Sequence, residues 1–195
     1  MQVFFLPLIA YFIGAIPSGV VLTRLAGTED VRNAGSGNIG ATNVYRVAGK
    51  RLGILTLVLD ILKGLLPMLL VKVVLGATAT ELALVAVALF IGHCYPVYLR
   101  FKGGKGVATA LGIYLVVSPL AVLAVIVLFA AIVWKWRYVS LGSIVAAAVV
   151  PLLVYAGGAA PAMLLATLLI SGGVIYRHHG NIKRLLNGTE NRFKE

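Results

Sequence analysis

The sequence predicts an all-α polytopic membrane protein with seven transmembrane helices, and three observations carry that expectation. Of its 195 residues, 61% are hydrophobic, and the mean hydropathy is +1.01, more apolar surface than a soluble domain of this length needs. Apolar runs of about 20 residues, enough to cross a ~30 Å hydrocarbon core, recur along the whole chain. Basic residues are gathered almost entirely into alternate connections between those runs. The expectation is one integral membrane domain, 1–195, with no room for a soluble one.

The spans are expected at about 3–25, 52–75, 80–98, 105–117, 119–135, 140–157 and 160–176. The first opens on "MQVFFLPLIAYF", which lacks the basic n-region of a cleaved signal peptide, so it should be retained. The second contains Asp60 and Lys63, one helical turn apart and able to pair. Asp60 lies roughly 12 Å along that helix by the 1.5 Å rise per residue. A charge at such depth is costly, so an ion pair that fixes helix packing is expected there. The third span ends near His93 and Cys94, read as a structural histidine beside a buried thiol. The fourth is short, and "VVSPLAV" is also compatible with one bent helix, leaving five or six spans. The sixth begins with Ser140 and Ser143 on one face.

Sidedness follows from charge. Arg24, Arg32, Arg46, Lys50 and Arg51 lie between spans one and two; Arg100, Lys102 and Lys105 between three and four. Lys135 and Arg137 lie between five and six, and Arg177, Lys183, Arg184, Arg192 and Lys194 in the tail. Of the 17 basic residues, only Lys63 and Lys72 fall elsewhere. Basic and bare connections alternate if there are seven spans, which puts the N-terminus outside and the C-terminus in the cytoplasm.

The net charge of +11 asks for an anionic partner. Nucleic acid is excluded because the basic residues decorate helix ends instead of forming a separate domain. Anionic lipid headgroups or a phosphorylated substrate fit better. The single cysteine excludes a disulfide framework and a zinc cluster, and six scattered acidic residues are too few for a carboxylate metal site.

Three polar islands share the expected cytoplasmic side. In "NAGSGNIGATNVYRVAGK", Gly35, Gly37 and Gly40 satisfy G-x-G-x-x-G, with Asp60 20 residues beyond Gly40. The context refutes a dinucleotide fold, since a membrane helix precedes the motif and Asp60 sits within the next span. Its physics survives: glycines let a ligand approach the backbone, and successive N–H groups make an anion-binding concavity. Ser36, Asn38, Thr42 and Asn43 add neutral donors, and Arg46 a bidentate one. In "GHCYPVYLRFKGGKGVATA", Gly103, Gly104 and Gly106 precede a helix start whose N–H groups can face an anion, with charge from Lys102 and Lys105. The third island, "RHHGNIKRLLNGTENR", is either a basic helix on the membrane surface or the closure of a shared site. A polar loop without a ligand, or lysines that merely mark the cytoplasmic side, are the plain alternatives. A different class, a membrane transporter for a phosphate-containing solute, would use the same features; the short, bare outer connections speak against it.

Taken together, "GSGNIGATNVYR", "GHCYPVYLRFKGGKGVAT" and "RHHGNIKRLLNGTE" resemble the signatures of the bacterial acyl-phosphate-dependent glycerol-3-phosphate acyltransferases. "AIPSG" and "LDILKG" are similar too, and the tail departs from the pattern at His179. The resemblance implies transfer of a long-chain acyl group from acyl phosphate to the 1-hydroxyl of glycerol 3-phosphate, giving lysophosphatidate and phosphate. It implies a multi-pass protein of the bacterial cytoplasmic (inner) membrane, active site facing the cytoplasm, in contact with membrane lipids. No cofactor, metal or obligatory protein partner is implied.

No histidine here has an aspartate five positions later: Tyr98 follows His93, Lys183 follows His178 and Arg184 follows His179. An acyl phosphate already carries a good leaving group, so the protein mainly positions two anions and stabilises a developing oxyanion. Lys105 and Arg46, with the amides of Gly35–Gly40 and Gly103–Gly106, are assigned to phosphate. Ser36 and Asn181 are the oxyanion or hydroxyl-orienting candidates, and Ser143, with Ser140, either reaches a headgroup or simply satisfies its own helix. Either His178 or a substrate phosphate oxygen takes the proton.

Overall fold

The computed structural model describes residues 2–193, with side chains from Phe5 onward; Lys194, counted above among the basic tail residues, lies outside them. Among the described residues all regular structure is helical. The order is α1 (Gln2–Gly14), α2 (Ser18–Leu25), α3 (Ala41–Ala48), α4 (Lys50–Leu69, continued by one π-helical turn to Val74), α5 (Ala79–Cys94), α6 (Val107–Val117), α7 (Pro119–Trp136), α8 (Val139–Ala156), α9 (Pro161–Arg177) and α10 (His179–Leu186).

Each of the seven expected segments coincides with helix. Lys50–Val74, Ala79–Leu99, Pro119–Trp136 and Val139–Ala156 are long and apolar enough to cross a bilayer. Phe5–Gly14 and Ser18–Leu25 make a fifth candidate if taken as one span, bent by 41°. Val107–Val117 and Pro161–Arg177 are shorter; the 11 residues of α6 cover about 16 Å at the helical rise, half a hydrocarbon core. Leu55, Val58, Leu66, Leu120, Leu123 and Val127 are exposed on these helices, as side chains facing lipid would be.

Helix boundaries follow local chemistry. Pro17 has no N–H to continue α1, so the chain breaks there and restarts at Ser18. Thr78 and Glu81 start α5 with a capping box, the Glu81 carboxylate accepting the Thr78 amide at 2.8 Å. Pro119 and Pro161 occupy first helical positions, where their missing donors cost nothing.

The chain divides into two compact units, one up to Ile113 and the other from Tyr114. In the first, α1 meets α5 and α4 meets α6 at glycines. A Cβ on Gly14 would overlap the Leu89 carbonyl, and one on Gly92 the Tyr11 carbonyl. Gly64 and Gly112 likewise abut the Thr109 and Ile61 carbonyls. Lipid tails provide no hydrophobic drive between helices, so close backbone approach supplies van der Waals contact instead. Asp60 and Lys63 form the expected ion pair at 2.8 Å, with side chains 3% and 7% exposed. Lys63 Nζ also donates to the Ile16 carbonyl at 2.8 Å, at the α1–α2 break. In the second unit, α8 packs against α7 and α9, and Tyr114 donates to the Thr167 carbonyl at 3.4 Å.

Removing one partner of a buried ion pair strands the other charge, at about 3–5 kcal/mol. Asp60→Asn should therefore lower the thermal midpoint in detergent sharply, and adding Lys63→Met to it should restore most of the loss.

Candidate active site

The first island folds as a loop pinned by its own side chains. Asn43, on α3 and 2% exposed, accepts the Ser36 amide at 2.8 Å and donates to the Val31 and Ala34 carbonyls at 2.8 and 3.1 Å. Asn38 accepts the Gly40 amide at 2.9 Å. Both side chains were expected to face a ligand; the structure uses their amide groups to shape the loop. Gly35 has φ +62, and a Cβ there would collide with the Asn43 carboxamide oxygen, so glycine is required. Gly37, also at positive φ, and Ser36 are exposed; Thr42 is half-buried and Arg46 exposed on α3. The Ala41 and Thr42 amides open α3, where a helix has no internal acceptor for its first donors. Arg32 is paired with Asp30, and its guanidinium hydrogen bonds pull the Asp30 carboxyl down to about 2.

The second island packs onto the end of α5. The Gly103 amide donates to the Cys94 carbonyl at 3.2 Å and the Gly104 amide to the His93 carbonyl at 3.1 Å. This corrects part of the expected cradle, because those two N–H groups are engaged within the protein. A Cβ on Gly103 would overlap the His93 carbonyl, and one on Gly104 the His93 ring nitrogen Nε2. Gly106, at φ +78, lies against the Phe90 ring. What the turn presents is Lys105, half-buried, with the N-terminal amides of α6 directly after it; Lys102 is exposed.

Beneath this turn lies a polar cluster that the sequence reading did not assemble. His93, 4% exposed, has Nδ1 at 3.1 Å from Thr109 Oγ1 and 3.9 Å from Asp60 Oδ1. The pairing joins α4, α5 and α6. The sequence offers no periodicity that would link residues 33 and 16 positions apart.

In the second unit the missed residue is Glu190. Its Oε1 accepts from Ser140 Oγ at 2.7 Å and Asn181 Nδ2 at 2.6 Å, and its Oε2 from Arg184 Nε at 2.7 Å. Burial pushes this carboxyl up, but the three donors outweigh it and its pKa is lowered. The segment after α10 is tied to the α7–α8 turn, with the Phe193 amide on the Arg137 carbonyl at 2.7 Å. His178 is 3% exposed, and its Nδ1 donates to the Val174 carbonyl at 2.8 Å. Ser143 Oγ donates to the Val139 carbonyl at 2.9 Å, one turn back in its own helix. Thus His178, Asn181 and the serine face of α8 belong to one unit, and both glycine islands to the other. Among the described residues no group of three or more His, Cys, Asp or Glu side chains gathers as metal ligands would.

The family model described as glycerol-3-phosphate acyltransferase matches residues 4–188. A glycerol-3-phosphate acyltransferase of Syntrophotalea carbinolica is 64% identical over 187 residues, covering 96% of this chain and 95% of that protein. Two crystal structures of PlsY (YgiH), an integral membrane glycerol 3-phosphate acyltransferase, superpose on the whole chain and 96% of theirs. The glycerol 3-phosphate form gives a TM-score of 0.95 at 43% identity; the lysophosphatidic acid form gives 0.93 at 42%.

Because the Glu190 pKa is depressed, its bonds stabilise the tail fully above the ordinary value of 4.5 and are lost as pH falls through the lower folded value. Acidification should raise hydrogen exchange across residues 187–193. Glu190→Ala should do so at pH 7, leaving buried donors unpaired at about 1–3 kcal/mol.

Proposed function

The chain belongs to the glycerol-3-phosphate acyltransferase family, and on that premise we propose that it moves a long-chain acyl group from acyl phosphate to the 1-hydroxyl of glycerol 3-phosphate. The observation that carries this reading is the match, over the full chain, to an acyltransferase solved in glycerol 3-phosphate and lysophosphatidic acid forms. The geometry supports it independently: the second glycine turn sets Lys105 just before the start of α6, and the first leaves the opening amides of α3 beside the loop, with Arg46 in the last turn of that helix.

In this reading the 1-hydroxyl oxygen attacks the acyl carbonyl carbon, the bond from that carbon to the phosphate oxygen breaks, and phosphate leaves. Arg46 and Lys105 neutralise the two phosphates, and Ser36, Thr42 and the first amides of α3 add neutral donors. Asn181 orients a hydroxyl or oxyanion through its side-chain carboxamide, whose position Glu190 fixes. His178 is almost wholly buried and its Nδ1 is tied to the Val174 carbonyl; we assign it to binding. The proton then goes to a phosphate oxygen of the substrate, whose second pKa is about 6. We assign Ser143 to headgroup contact, and Lys102 to the same basic face as Lys105.

The chain is read as one integral membrane domain with seven spans, N-terminus outside and site facing the cytoplasm, in a bacterial inner membrane. Alternation of basic and bare connections supports that topology, and a single family model running across both units supports one domain. The protein would then serve phospholipid synthesis.

Two measurements test these assignments. Purified protein given glycerol 3-phosphate should release lysophosphatidate and phosphate with palmitoyl phosphate, and no product with palmitoyl thioesters; thioester activity would overturn the donor. His178→Asn should retain turnover within about tenfold of wild type, whereas loss of a general base would cost about 10²–10⁴-fold.

A further inference from the structure

The mechanism above gives His93 no part, although its ring is held from several sides. Thr109 Oγ1 and Asp60 Oδ1 stand at 3.1 and 3.9 Å from Nδ1, and Lys63 in turn holds Asp60 at 2.8 Å. The same residue supports the Lys105 turn twice. Its carbonyl accepts the Gly104 amide at 3.1 Å, and its Nε2 edge fills the space a Gly104 side chain would need. Lys105 is the next residue in the chain, so any tilt of the imidazole is passed to Lys105 through one peptide unit.

We propose that His93 is a positioning residue for the reaction: bonded to Thr109 and facing Asp60, it holds the Gly103–Gly104 turn so that Lys105 meets a substrate phosphate. The inference rests on the assignment of Lys105 to phosphate made above. An imidazole suits the task better than an apolar side chain of similar size. A buried polar ring is costly unless bonded, so the bond to Thr109 favours one orientation against rotation, which packing alone does less well. Binding groups must be held within about 0.5 Å of the productive geometry, and His93 touches the backbone that sets this one.

The test compares kinetic constants of the full chain in detergent with glycerol 3-phosphate and palmitoyl phosphate, alongside thermal midpoints. Lys105→Gln should raise KM for one of the two substrates by about tenfold or more with a smaller effect on kcat, the pattern of lost ground-state binding. His93→Gln and Thr109→Val should raise the same KM about five- to twentyfold, and Thr109→Ser, which keeps the hydroxyl, should restore it relative to Thr109→Val. Partial unfolding alone would lower apparent kcat and leave KM where it was. If Lys105→Gln raises KM while His93→Gln leaves it at the wild-type value, the positioning role is overturned. If His93→Gln does not fold, Thr109→Val decides in the same way. If Lys105→Gln itself leaves both KM values unchanged, the assignment of Lys105 fails instead.

Discussion

The first unit depends on one buried ion pair. Asp60 and Lys63 meet at 2.8 Å, and Lys63 reaches on to the Ile16 carbonyl where Pro17 interrupts the helix. A break in a membrane helix frees carbonyls that hydrocarbon cannot satisfy. The ammonium of Lys63 and the Ser18 amide satisfy the one at Ile16. That fixes the start of α2, whose Gly19 lies with its Cβ position against the Ile39 carbonyl, inside the first glycine island. On the other side Asp60 faces His93, which carries the second island. A pair whose net energy is small or even unfavourable therefore sets the geometry of two loops that are distant in sequence.

How much of this is legible before folding depends on how far each signal reaches. The helical segments could be read because each carries its own apolar run. The Asp60–Lys63 pair could be read because a helix brings residues three apart to one face. His93 could not, since its partners arrive from α4 and α6 and only the folded bundle gathers them. Glu190 was hidden for the same reason: Ser140 lies 50 residues away. Asn43 and Asn38 were legible as polar but not as self-bonded, because a loop residue's donors turn inward or outward only according to where the chain leads. The amides of Gly103 and Gly104 repeat the lesson, for the glycine pattern marked a close approach correctly while the approaching atoms were the protein's own carbonyls.

The acidic residues explain why a chain with so few of them can still present cations. Asp30 is held by Arg32, Asp60 by Lys63, Glu190 by Arg184 with two neutral donors, and Glu81 serves its own helix cap. Arg46 has no ion pair among the described residues, and it stands on the helix that closes the first glycine island. An anion approaching that helix meets a guanidinium with no ion-paired carboxylate to displace, and the positive field of the whole chain, +11, favours its arrival. Engaging these four of the six carboxylates elsewhere is thus as much a part of leaving cations available as placing them.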